Sequence, residues 1–391
     1  MSCVRSGSDP LTRVLTMFFR LPTLNIPKHT SKASLSSILY YITGHGYGHS
    51  VRSNQVIRRL LELDSGLKIH VRTTAPDSLF HNPLAPVTYS RRSTDVGIVQ
   101  RDSLEMDVGE TLKACQALHD RVPQTIQEET TFVRQNQIDL VVGDIPPLCF
   151  EIAARVKIPS VAIANFTWSF IYRAYIQEHP GFMPLIDEME SYYRKATLAL
   201  ALPYACGMDV FPKPEPIPWI ARTSCLTKKE ARVKFALSDS AIIVLLSFGG
   251  LGLKRVPWER LKQRAEFFFV ATGEANIQED NISVLPGVQR QYEDLVRAVD
   301  VVVTKPGYGI VADALAHRVP VLYTDRGDFP EYLFLAQALS DLANAEYIPQ
   351  EELLSGNIGA YLHAVLSKQA DRPSVPLTGA TIAAERILAL L

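Results

Sequence analysis

An excess of charge is the first thing this chain lacks. Its 40 basic and 41 acidic residues leave a formal net charge of −1 over 391 residues. That balance removes the electrostatic argument for a nucleic-acid partner or an anionic membrane surface. Long hydrophobic runs are missing too: none approaches the ~18 residues of a transmembrane helix. Cysteine is scarce, and Cys3, Cys115, Cys149, Cys206 and Cys225 show neither CxxC nor zinc-ligand spacing. They read as reduced thiols of a cytoplasmic protein.

What is present suits a globular protein. Apolar residues make up 47% of the chain and charged residues 21%, and the length fits two domains of ordinary size. Residues 1–34 stand apart, with Arg5, Arg13, Arg20, Lys28 and Lys32 against the single acid Asp9, and frequent serines. They read as a disordered tail or the product of an upstream start, with a transit peptide as the alternative. From residue 38 onward, short apolar runs alternate with amphipathic stretches. Ile38–Thr43, Leu67–Val71, Ile138–Val142, Val161–Ala164 and Thr197–Leu202 predict buried strands. So do Ala241–Phe248, Phe267–Ala271, Asp300–Val303 and Val319–Tyr323. Continuous apolar strands separated by helices imply parallel sheets covered on both faces. Between the two groups lies Phe211–Pro218, with a proline at every second position. Such a stretch can be neither regular helix nor central strand. The expectation is therefore an α/β protein with a first domain at 35–210, a linker at 211–222 and a second Rossmann-like domain at 223–391.

The most informative run is Tyr40–His49, where a strand empties into a loop with Gly44, Gly46, Gly48, His45 and His49. Val56, Ile57, Leu60 and Leu61 then recur at helix spacing. Glycines allow close backbone approach, and a helix start offers free N–H groups and partial positive charge. Two imidazoles there point to proton chemistry on a bound substrate; close helix–strand packing is the plainer alternative. A dinucleotide fingerprint does not fit. His49 stands where the third glycine belongs, and the next strand leads into Arg72-Thr73-Thr74 without a ribose-binding carboxylate. Later loops repeat the design. Ser247–Gly252 contains Gly249 and Gly250, and Thr304–Gly309 contains Lys305, Gly307, Tyr308 and Gly309, with Asp313 one turn into the following helix. Backbone N–H groups and Lys305 can hold a diphosphate, and Asp313 can accept hydrogen bonds from ribose hydroxyls. Asp144 ends its strand at the same sheet edge as His49. It either orients a histidine or caps the turn before Pro146-Pro147.

Taken together, residues 40–53, 140–147, 160–172, 245–250 and 304–323 resemble GT-B glycosyltransferases. The closest resemblance is to the glycosyltransferase-like N-terminal region of plant L-arabinokinases and its stand-alone bacterial relatives. A weaker likeness extends to the lipid-linked N-acetylglucosaminyltransferase of peptidoglycan synthesis. The resemblance implies two Rossmann-like domains with parallel sheets facing across a cleft. It implies an inverting hexosyl or pentosyl transfer from a nucleotide sugar, UDP-linked, to a small-molecule or lipid-linked acceptor. His49 or His45 would be the base, supported by Asp144. Gly249, Gly250, Lys305, Gly307, Tyr308, Gly309 and Asp313 would hold the donor, and Asp328 and Glu331 its sugar. Gly46, Gly48, Asn165 and Trp168 would face the acceptor. Lys305 replaces the histidine of the usual donor motif, Ile310 its threonine and Asp313 its glutamate. No D-x-D pair occurs, and no metal or other cofactor is expected. The alternatives are a non-catalytic sugar-nucleotide or sugar-binding module, since the kinase phosphate loop of the plant relatives is missing, and a GT-B-fold sugar-nucleotide epimerase.

Overall fold

Strand β1 (Ser37–Ile42) is buried along its whole length, and its alternation places it between two apolar layers. Ile38, Tyr40 and Ile42 pack with Val56, Ile57 and Leu60 on one face. Leu39 and Tyr41 pack with Phe150 and Trp168 on the other. The structure, a computed structural model, describes residues 36–80, 87–101, 104–249, 256–273, 276–368 and 370–391. The expected extension at 1–34 and the candidate Gly250 lie outside them.

Seven strands make the first sheet among the described residues: β1, β2 (Lys68–Thr73), β3 (Thr88–Arg91), β4 (Leu140–Asp144), β5 (Ser160–Ala164), β6 (Leu198–Ala201) and β7 (Glu215–Pro216). All are parallel, in the order β3-β2-β1-β4-β5-β6-β7. The second sheet comprises β8 (Ile242–Ser247), β9 (Phe267–Thr272), β10 (Ile277–Glu279), β11 (Ile282–Leu285), β12 (Val301–Thr304), β13 (Val321–Tyr323) and β14 (Ala345–Tyr347). Its order is β10-β11-β9-β8-β12-β13-β14, and only the β10–β11 pair is antiparallel. Chain direction across the sheet reverses between β1 and β4, and again between β8 and β12. In open α/β sheets a ligand crevice forms at such reversals, beyond the carboxyl ends of the strands.

Two boundaries differ from expectation. The proline-rich stretch is not wholly a connector: β7 pairs with β6 at the sheet edge, where a missing proline N–H is tolerated. The last helix, Gly379–Leu388, leaves the second half and packs on the helix Tyr47–Leu63 of the first. Its Ala383, Ala384 and Ile387 share one apolar cluster with Val56, Ile57, Leu60 and Leu61. Residue 379 must be glycine for that crossing, because a Cβ would stand 2.2 Å from the Pro218 carbonyl. Each large aliphatic side chain so buried stabilises the fold by roughly 1.5–3 kcal/mol. The same cluster takes in Tyr308, Val311 and Leu315 from the second half, so apolar packing as well as the linker joins the halves.

Candidate active site

The helix Tyr47–Leu63 starts at Gly46, whose φ of +71° suits glycine and turns the chain sharply out of β1. His49, Arg52 and Ser53 then fall at i, i+3 and i+4, one face of the helix. That face meets Asp144 at the end of β4. His49 Nδ1 lies 2.8 Å from Asp144 Oδ1. Arg52 grips the same carboxylate with two prongs, Nε to Oδ2 at 2.7 Å and Nη2 to Oδ1 at 2.5 Å. Ser53 donates its hydroxyl to Oδ2 at 2.8 Å. Asp144 is 0% exposed, Arg52 2% and His49 7%. Burial alone would raise the Asp144 carboxyl, but Arg52 and His49 outweigh it and hold the group well below the usual carboxylate range. Burial and then Arg52 lower the affinity of His49 for a proton, against the upward pull of Asp144 and Glu331. A neutral ring whose Nδ1 proton goes to Asp144 keeps its lone pair on Nε2, the arrangement of a general base.

His45 is arranged otherwise. Its Nδ1 accepts the Ile98 N–H at 3.3 Å, which leaves the ring proton on Nε2. The ring stacks on Phe329 at 5.8 Å and meets the edge of Trp168 at 5.3 Å. Gly97, at φ +75°, makes room for it, since a Cβ there would stand 2.7 Å from His45 Cβ. Burial, then Arg326, His49 and Lys305, push its pKa well below that of an ordinary histidine. His45 is thus a neutral ring, and of the two histidines only His49 has a carboxylate partner to stabilise its protonated form.

Two residues expected to line an acceptor pocket are committed elsewhere. Trp168 is fully buried in the core and donates its indole N–H to Asp95 Oδ2 at 2.8 Å. Asn165 is equally buried: its Oδ1 accepts from Arg52 Nη1 at 2.5 Å and its Nδ2 donates to Glu331 Oε1 at 2.6 Å. Glu331 is therefore not open to a donor sugar. Its second oxygen accepts from Arg326 Nη1 at 2.6 Å, and Arg326 Nη2 lies 3.5 Å from His45 Nε2. Asp328 remains exposed, tied through its carbonyl to the Tyr175 hydroxyl at 2.9 Å.

At the second reversal of strand order, Gly249 follows β8 and Lys305–Gly307 follow β12. Gly249 is exposed at φ +74°, and among the described residues nothing lies within 4 Å of where a Cβ would stand. Gly307 caps the helix Tyr308–His317 in extended backbone, and a Cβ there would likewise touch nothing. Lys305 is half-buried and near enough to weigh on His45. At Gly309 a Cβ would lie 3.4 Å from the Gly48 Cα, so the helix starts of the two halves meet here. Two donor-binding expectations are corrected. Tyr308 is buried, stacked on Trp219 at 5.1 Å, and its hydroxyl accepts the Ile220 N–H at 3.2 Å. Asp313, 1% exposed, spends both oxygens on Arg222: Oδ1 accepts the backbone N–H at 2.9 Å, and Oδ2 accepts Nε at 2.9 Å and also Nη2. A linker arginine holds the carboxylate meant for ribose. Arg52, Ser53, Asp95, Gly97, Arg222 and Arg326 were not anticipated from the sequence as parts of the site.

Residues 36–190 match the family model described as glycosyl transferase family 1. The crystal structure of CalG4, the calicheamicin glycosyltransferase, superposes with a TM-score of 0.60 at 15% identity, over 92% of this chain and 99% of that one. The fold is GT-B. A UDP-glucosyltransferase from Polygonum tinctorium, capable of glucosylating indoxyl, shares this GT-B arrangement with a TM-score of 0.58 at 11% identity, over 92% and 99% of the two chains. L-arabinokinase of Arabidopsis thaliana is 28% identical over 337 residues, which is 84% of this chain. The chain spans about a third of that relative's length, 32%. The resemblance to GT-B glycosyltransferases and to L-arabinokinase is borne out. Among the described residues no helix is long and apolar enough to cross a membrane.

Proposed function

We propose that this chain transfers a sugar from a nucleotide-sugar donor to an acceptor hydroxyl, with inversion at the anomeric carbon. The observation that carries the reading is the buried His49–Asp144 pair, set where the helix starts of the two halves meet. In this reading His49 Nε2 takes the acceptor proton as the acceptor oxygen attacks the anomeric carbon. The bond from that carbon to the nucleotide diphosphate breaks on the opposite face, which inverts the centre. Asp144 stabilises the imidazolium formed. Charge developing on the departing diphosphate is met by the N–H groups at Gly307–Gly309, by Lys305 and by the backbone at Gly249, with no metal required. Exposed Asp328 is placed to accept from sugar hydroxyls. A uridine diphosphate donor and a small-molecule acceptor are the chemistry named for the Polygonum enzyme, and they are the first to try.

A second reading is a module that binds a sugar nucleotide without consuming it. The capture of Asp313 by Arg222 favours it, because the ribose acceptor of the usual donor site is withdrawn. One experiment separates the two. The purified chain is screened by thermal shift against UDP, GDP, ADP, dTDP and their sugar conjugates, and nucleotide release is then followed with a panel of hydroxyl acceptors. A transferase gives a shift and acceptor-dependent release that His49→Ala abolishes. A module gives the shift alone. No shift with any nucleotide removes the transferase reading.

A further inference from the structure

Arg52 makes more contacts than orienting a base requires. Beyond its two-pronged hold on Asp144, its Nη1 donates to Asn165 Oδ1 at 2.5 Å and its Nη2 stands 2.9 Å from His49 Nδ1. Its guanidinium also lies over the Tyr308 ring, 5.1 Å from the centroid, and Tyr308 belongs to the second half. The orientation of Asn165 follows from chemistry. Arginine has only donors and a carboxylate only acceptors, so the amide oxygen must face Arg52 and the NH2 must face Glu331. An unbroken line of hydrogen bonds thus runs from Asp144 through Arg52 and Asn165 to Glu331, crossing from the first half to the second. It continues to Arg326, which comes back to within 3.5 Å of His45 in the first half.

We propose that Arg52, Asn165 and Glu331 form a positioning relay that makes the state of His49 depend on contact between the two halves of the protein. This rests on His49 being the base. The relay acts through the carboxylate that Arg52 and His49 share. Asp144 Oδ1 receives both Arg52 Nη2 and His49 Nδ1, so the firmer the grip of Arg52, the less of the carboxylate's charge is left for the imidazole. Asn165 holds the far prong of Arg52, and Glu331 holds Asn165 in place from across the interface. Glu331 also favours a protonated His49 directly through its charge. The groups facing His49 are Asp144 from β4, Arg52 from its own helix, Glu331 from the second half and His45 from the preceding loop, with Lys305 and Arg326 acting on His45. When the halves part, Glu331 leaves and both influences change together. The base is set only when the site is assembled.

The test uses the full chain labelled with 15N-histidine, with the His49 signal assigned by its loss in His49→Gln. Ring-nitrogen shifts report both tautomer and titration midpoint, without substrate. Glu331→Gln removes the charge and keeps the size: losing the charge lowers the His49 midpoint directly, and the loosened hold on Asn165 and Arg52 opposes that fall. Arg52→Lys keeps a cation but cannot reach Asp144 and Asn165 together; the midpoint must move up. With Arg52→Lys already in place the opposing path is cut, so Glu331→Gln must lower the midpoint further than it does alone. A Glu331→Gln shift of the same size with and without Arg52→Lys, with or without a fall in melting temperature, would show a direct charge effect and a merely structural contact, and would overturn the proposal. Because no turnover is read, a chain that consumes no sugar nucleotide would sink the transferase reading while leaving the relay standing.

Discussion

The two crevices carry similar glycine loops and use charge in opposite ways. In the first, the loop after β1 delivers a histidine onto a carboxylate, and every charged partner is buried with it. In the second, the helix after Gly307 carries a carboxylate too, but that group turns away to the linker and leaves the loop with open backbone and Lys305. The contrast shows that a glycine loop fixes where the backbone can approach a ligand, not what the nearest acid does. Helix phase decides that. His49, Arg52 and Ser53 share the face that meets Asp144, whereas Asp313 lies on a face that meets Arg222. The first crevice holds a histidine on a buried carboxylate, whereas the carboxylate of the second is tied to the linker.

Removing the base should have the largest effect. His49→Ala is expected to lower turnover about 10²- to 10⁴-fold, the range for loss of a general base, while nucleotide binding at the second crevice persists. Nucleotide release and thermal shift measured on one preparation check both halves of the statement. The same contrast can be read as stability. Asp144→Asn strands a fully buried Arg52 and should destabilise the protein by about 3–5 kcal/mol, seen in urea unfolding. Asp313→Asn strands Arg222, whose side chain is 13% exposed and can recruit water, so the loss should be clearly smaller. It should also leave nucleotide affinity within about twofold of the parent, since both Asp313 oxygens already serve the linker. A loss of about tenfold or more would return Asp313 to the ribose and erase the contrast between the crevices.

The pH dependence of turnover follows from His49. Its affinity for a proton is lowered on folding, so the ring stays neutral to a lower pH than a free histidine does. The acidic limb of kcat/KM should therefore fall below the ordinary histidine range. The same sign applies to stability: a buried neutral histidine must be charged as pH drops, so its contribution is lost on the acid side. An acidic limb at or above the ordinary range would mean that Asp144 outweighs burial and Arg52.

Much of the framework was legible because central strands are buried on both faces and must be apolar throughout. Every strand expected from an apolar run is present, its ends displaced by no more than two residues. The unanticipated β3, β7, β10, β11 and β14 lie at or beside sheet edges. Edge segments such as Gln278-Glu279 and Ala345-Glu346 need not be apolar, so no run marks them. In the site, His49 was legible from its glycine loop and Asp144 as the residue that ends its strand. Arg52 and Ser53 carried a usable signal, their spacing of three and four from His49 on a helix. Arg222 carried none, because its partner is 91 residues away and only the crossing of the linker brings them together. Gly97 and Asp95 sit in a stretch without periodicity, so their contacts with His45 and Trp168 had no local pattern to announce them.

Asp95 offers the smallest effect and a check on how densely charge is packed in the first crevice. Burial pushes its carboxyl up to about 6, against the hydrogen bonds from Thr43 and Trp168 that favour the ionised form. A carboxyl whose affinity for a proton rises on folding weakens the fold as pH climbs from the unfolded value of about 3.9 through 6. Above that window the ionised group costs roughly 2–3 kcal/mol; below about pH 4 it costs nothing. Asp95→Asn keeps an acceptor for the Trp168 indole and removes the charge. The variant should therefore be the more stable protein at pH 8 and lose its advantage on acidification to pH 4, as followed by urea unfolding at both values. A variant less stable than the parent at pH 8 would mean that the ionised carboxylate is held by the charges around it. The ionised Asp95 would then belong to the charged interior of the first crevice, which would be a larger ionic assembly than the His49 face alone.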